Sequence, residues 1–171
     1  MHKPPPRPVH TARPFRVLFV PVVFTSVVGG AVFYVLQRTL GTGTSSLEQL
    51  GRAVVRQGGY PVDLAPLVGA CVHLSVAFAY TAVFAIAAWT MFGAVGRRVR
   101  WLASGLLAGL LAVAATLVAP LASRTVVSLL AGNGFPSSLP ALNMEVGQPL
   151  WNHVIFFGIA WLGTVVALDM E

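Results

Sequence analysis

Residues 65–92 read APLVGACVHLSVAFAYTAVFAIAAWTMF, and no Asp, Glu, Lys or Arg interrupts them. At about 1.5 Å of rise per residue, a helix of this length exceeds the ~30 Å hydrocarbon core of a bilayer. A helix on the surface of a soluble protein needs a polar face, and this one has almost none to offer. The stretch predicts a transmembrane helix. Working outward from it, residues 17–36, 102–121 and 149–168 are likewise free of charge. Each has the roughly 20 residues that a crossing requires. The chain as a whole is 56% hydrophobic and 9% charged, against about 25% charged in an ordinary soluble domain. There are too few polar groups to cover a water-soluble fold. The expectation is an all-α integral membrane bundle of four transmembrane helices, forming a single domain over residues 15–171.

The segments between the spans carry the charges. Residues 1–14 (MHKPPPRPVHTARP) are basic and dense in proline, which blocks helix and sheet, so a disordered tail is predicted. The first span is longer than the apolar region of a signal peptide and no cleavage pattern follows it, so it reads as a retained helix. In the first connecting loop, Ser45 and Glu48 resemble a capping box, and Leu47, Leu50 and Val54 then recur at helical spacing until Gly58–Gly59. This predicts a short amphipathic helix, lying either on the membrane surface or over the mouth of the bundle. Asp63 is placed to cap the second span, with Pro66 in its first turn. Pro120 is read as ending or bending the third span, and a further short interfacial helix is expected at 125–130, in a loop rich in Gly, Pro and Ser.

Orientation follows from the basic residues. Lys3, Arg7, Arg13, Arg16, Arg97, Arg98 and Arg100 fall on one side of a four-span threading, and Arg38, Arg52, Arg56 and Arg124 on the other, in much longer loops. The positive-inside bias puts both termini of this multi-pass protein in the cytoplasm. The net charge of +6 is thereby explained by lipid headgroups and topology, with no basic stripe of the kind that binds nucleic acid. The lone Cys71 lies within a span and allows no intrachain disulfide.

Polar groups at membrane depth are costly, which makes them the candidates for function. His73, Tyr80 and Thr81 share a helical face in the second span, and Asn152 and His153 open the fourth. A His–Tyr–Thr line can pass protons, and two histidines on different helices can ligate a haem or a metal. The third possibility is that the same groups tie helices together by hydrogen bonds. Ser26 with Gly30, and Gly105 with Gly109, are small residues at the spacing that lets helices approach closely. Zinc wants three or four ligands, and no Cys/His/Asp cluster of that spacing occurs. No paired carboxylates, nucleophile triad or phosphate loop is present, so no catalytic residue is assigned and an enzyme is not expected.

The stretches HLSVAFAYTAVFAIAAW and HVIFFGIAWLGTVVAL, each opening on a histidine and separated by a proline-containing loop, resemble the small four-helix bacterial inner-membrane proteins of the YagU-like, uncharacterised type. The resemblance covers roughly residues 65–168. It implies an inner-membrane location and no defined activity. The leading expectation is a non-enzymatic accessory or scaffold component, whose partners are the bilayer and, through its small-residue faces, other membrane proteins or a second copy. The alternatives are a small transporter or proton conductor using His73, Tyr80 and His153, and a bis-histidine haem or metal protein. The sequence names no cofactor.

Overall fold

The fold is given by a computed structural model that describes residues 14–40, 46–144 and 147–169. Most of the tail, the Ser45 cap and Glu145 lie outside the described residues. Five helices follow one another: α1 (Pro14–Leu40), α2 (Ser46–Gly58), α3 (Ala65–Phe92), α4 (Arg97–Leu130) and α5 (Gln148–Asp169). Among the described residues there is no strand. The segments Val62–Phe92, Arg97–Leu130 and Gln148–Asp169 are long and apolar enough to cross a membrane, whereas the apolar part described in α1 is the shorter Pro21–Val35. Three such helices mark a membrane protein.

Helix packing follows the distribution of small and aromatic side chains. Ala108, Ala112 and Ala115 make a smooth stripe along α4, and Phe156, Phe157 and Ala160 of α5 lie against the same core as Ala77, Phe84 and Ala88 of α3. α5 packs extensively on both α4 and α1, and α1 closes the bundle against α3. The opposite face of α4, with Leu102, Leu106 and Leu110, is exposed, as are Phe24 and Val27 of α1. In water such faces would aggregate. Facing lipid tails they cost nothing, and the bundle is then held by close packing rather than by apolar burial.

Two expectations change. The third span does not end at Pro120: α4, 34 residues in all, runs through it to Leu130, so the residues expected to form a separate helix at 125–130 are its last turns. The proline removes one N–H from the ladder, that facing the Thr116 carbonyl, while Val127 and Ser128 beyond it are buried. The helix ends instead at Gly132, whose φ of 78° lets Asn133 N–H reach Ser128 O at 2.9 Å and Gly132 N–H reach Leu129 O at 3.0 Å, a Schellman closure. Asp63 is not a helix cap either. It sits in a 3-10 turn, Val62–Leu64, that precedes α3.

α2 is amphipathic as expected, and it packs on both α3 and α4, with Val54 and Val55 only 2% and 1% exposed. Its approach to α3 is backbone on backbone. A side chain at Gly51 would collide with the Ala65 carbonyl, and one at Gly69 with the Leu47 carbonyl. Tyr60, just past α2, reaches Leu130 O from its hydroxyl at 3.4 Å. α2 thereby stands between α3 and the last turns of α4.

Candidate functional site

Because α2 is wedged there, the bundle opens at one end into a cavity of about 1080 Å³. That lies at the top of the roughly 300–1,000 Å³ range of small-molecule sites. Its walls are α2 (Gln49, Ala53, Gln57), α3 (Val72, Val76), α4 from Ala119 to Ser128, the loop around Asn133–Ser137, and the start of α5. Its floor narrows to a chamber of about 80 Å³ bounded by Phe33, His73, Val76, Ala77, Tyr80, His153 and Phe156. The rim is rich in amides and hydroxyls; the floor is aromatic and aliphatic.

The two histidines meet at this chamber, and of their nitrogens His153 Nδ1 is hydrogen-bonded away from it whereas His73 Nε2 is without a partner. His73 stacks on Phe33 of α1 with ring centroids 4.6 Å apart. Its Nε2 is directed at Gly30 and makes no hydrogen bond of good geometry. His153 Nδ1 lies 3.0 Å from Thr116 Oγ1 and 3.0 Å from the Pro149 carbonyl. A carbonyl only accepts, so Nδ1 carries the proton. The Thr116 hydroxyl donates to Ala112 O at 2.8 Å and is left to accept from the imidazole. The neutral ring then keeps an open lone pair on Nε2. His73 therefore links α3 to α1, and His153 links α5 to α4. Among the described residues no group of three or more His, Cys, Asp or Glu gathers that could hold a metal ion.

Tyr80 also borders the chamber, in edge and tilted contacts with His153, Phe156 and Phe157. Thr81 does not continue the line. It is fully buried and its hydroxyl donates to Ala77 O of its own helix at 2.8 Å. Below Tyr80 come Phe84, Ala88, Phe157 and Ala160, all apolar. Asn152 is half-buried in the cavity wall. Ser26 is buried and bonds Val22 O on its own helix, and Gly30 gives room to the His73 ring. Gly105 faces the Trp161 ring, which an added carbon would meet at 3.4 Å, while Gly109 has nothing within 4 Å.

Comparison with protein families, with curated proteins and with solved structures finds no match to this chain.

The far end of the bundle is shut by a polar cluster that the sequence reading did not pick out. Arg100 Nη1 donates to Leu168 O at 3.0 Å and to Asp169 Oδ1 at 3.2 Å. Its Nη2 donates to Gly93 O and Val95 O, each at 3.2 Å. Trp101 Nε1 donates to Asp169 Oδ2 at 2.7 Å, and Arg97 Nε pairs with the same oxygen at 2.8 Å. One layer deeper, Trp161 Nε1 donates to Ser104 Oγ at 3.1 Å. One carboxylate thus fastens the end of α5 to the start of α4. The signal available in sequence was the acid directly after the fourth span, Asp169, and the cluster RRVR just before the third.

Proposed function

We propose that this chain is a four-span, non-enzymatic protein of the cell inner membrane that holds a small amphipathic molecule in its vestibule, acting as an accessory component of the membrane. The observation that carries the reading is the cavity itself: open at one end, graded from polar rim to aromatic floor, and closed below by packed side chains. A cavity that ends blind suits holding a molecule better than conducting an ion. α1 serves as the fourth crossing: its 27 residues extend about 40 Å, and Arg16 and Arg38 flank its uncharged run. An even number of crossings returns both termini to the cytoplasm, and the vestibule then opens on the outer side.

Extraction from native membranes in mild detergent, followed by mass spectrometry of bound small molecules, tests this. A species present with the wild-type chain should be lost when Val76→Trp fills the floor or Ala53→Phe fills the wall, with helicity by circular dichroism unchanged. Identical extracts from all three would reject the reading.

A second reading is favoured by the convergence of His73, Tyr80 and His153 on one chamber: an outward-open carrier coupled to protons. Its test is proton flux in reconstituted vesicles. His73→Ala and His153→Ala should each abolish flux if it holds; equal flux with lowered thermal stability would leave only helix-tying roles for the two rings.

A further inference from the structure

The charges around the vestibule are one-sided. Among the described residues of its lining there is no Asp or Glu, and the one permanently charged side chain is Arg124. Arg52 pairs with Glu48, and Arg97 and Arg100 with Asp169; of the described arginines outside these pairs, Arg124 is the one that lines the vestibule. Arg124 has no carboxylate among the described residues. Its guanidinium reaches only a neutral hydroxyl, Ser138 Oγ, at 3.4 Å. Ser123, Asn133 and Ser137 bring further hydroxyl and amide groups to the same rim. A guanidinium exposed at the rim beside hydroxyls, with its donors turned to neutral partners only, is a receptor for carboxylate or phosphate oxygens. The floor is mostly apolar, with Phe33, Val76, Ala77 and Phe156 around the His73, Tyr80 and His153 rings, and it carries no permanent charge. An alkyl or aryl tail fits there.

We infer that the vestibule selects an amphiphile with an oxyanion head, of the carboxylate or phosphate class, with the head at Arg124 and the apolar tail in the chamber beside Tyr80. This rests on the reading of the vestibule as a binding site, and it adds the ligand's charge and orientation. A bilayer lipid and a dissolved single-chain acid share this chemistry.

The test uses the full chain in nanodiscs of phosphatidylcholine, with displacement of a fluorescent fatty acid as the readout. Dodecanoate, dodecanol and dodecyltrimethylammonium share one tail and differ in head charge. Dodecanoate should bind at least about ten-fold more tightly than dodecanol, the equivalent of one charge-assisted hydrogen bond, and the ammonium more weakly than either. Arg124→Gln should remove the preference for dodecanoate and leave dodecanol binding as in wild type, which also shows that the variant is folded. Arg124→Lys should retain part of the preference. Competition by phosphatidylglycerol added to the discs, lost in Arg124→Gln, marks the source as membrane lipid; its absence marks a dissolved acid. If the ammonium binds as well as dodecanoate, or if Arg124→Gln keeps the preference, the oxyanion assignment falls while the vestibule remains a site. If inorganic phosphate displaces the probe as well as dodecanoate does, the tail has no role and the amphiphile is wrong. If none of the three amphiphiles binds, the vestibule reading falls with it.

Discussion

A methyl group added at Gly51 would run into the Ala65 carbonyl, whereas one added at Gly109 would meet nothing within 4 Å. The same substitution therefore has opposite signs at two helical glycines. Gly109→Ala should leave stability unchanged or raise it by up to about 1 kcal/mol, because glycine is the poorer helix former. Gly51→Ala should lower it by about 1–3 kcal/mol, as overpacking does when backbone has to move. Unfolding by titration with sodium dodecyl sulfate, followed by circular dichroism, separates the two. Equal effects would mean that α2 does not cross α3 at this glycine. The Thr116–His153 contact allows a finer test. Hydrogen bonds between membrane helices average about 0.6 kcal/mol, so Thr116→Val should cost about that. His153→Ala should cost more, because its ring also packs on Tyr80 and bonds Pro149 O, and a double-mutant cycle should return a coupling of about 0.6 kcal/mol. Additive losses would deny that the hydroxyl and the imidazole touch.

At the scale of elements, the apolar runs were legible because charge avoidance over about 20 residues leaves few alternatives in a short chain. What misled was local punctuation. Pro120 reads as a stop, yet a proline takes away only one backbone donor, and packing on α2 carries α4 onward. The stop is Gly132, where a left-handed residue lets the loop close over the last carbonyls. The vestibule was not legible, since it depends on how two glycines in different helices meet, and neither carries a mark of its partner. His73, Tyr80 and His153 were found as candidates from their polarity alone; that His73 turns to α1 and His153 to α4 is a matter of rotamer and helix rotation, which sequence spacing leaves open. The proline still has a consequence. Its missing N–H and crowding ring loosen the turn at 116–117, and the Leu117 carbonyl accepts the Asn143 N–H at 2.9 Å, tying the returning loop to mid-helix. Pro120→Ala should restore the regular ladder and weaken that tie. Hydrogen exchange at the Asn143 amide should then quicken by several-fold, while exchange at Asn133 stays as it was. Unchanged exchange at Asn143 would show that the loop is held by other contacts.

For the whole molecule, the two ends of the bundle differ in kind: one is open, with Arg124 facing no carboxylate among the described residues, and the other is shut by Asp169 between Arg97, Arg100 and Trp101. Asp169→Asn removes the shared charge, so thermal stability in detergent should fall by several degrees while the vestibule, a bundle length away, keeps its affinity for ligand. Loss of binding in this variant would mean that the shut end also shapes the open one. Which end faces the cytoplasm is then a question of arginine density. Arg97, Arg98 and Arg100 crowd the first turn of α4, just after the four-residue connection from α3, whereas Arg52, Arg56 and Arg124 are dispersed over long segments at the vestibule end. Short loops dense in Lys and Arg resist translocation, so the vestibule should open outward. In a Cys71→Ser background, a membrane-impermeant maleimide added to intact cells should label Ser137→Cys, at the vestibule rim. It should label Ala94→Cys, at the arginine turn, only after permeabilisation. The reverse pattern would put the vestibule in the cytoplasm, and the inorganic or lipid oxyanions available to Arg124 would change accordingly. Labelling of both from outside would mean that α4 does not cross the bilayer. A cysteine at residue 2 completes the argument, because it reports on α1 alone: shielded, it makes α1 the fourth crossing; accessible, it leaves three crossings and puts the two termini on opposite sides.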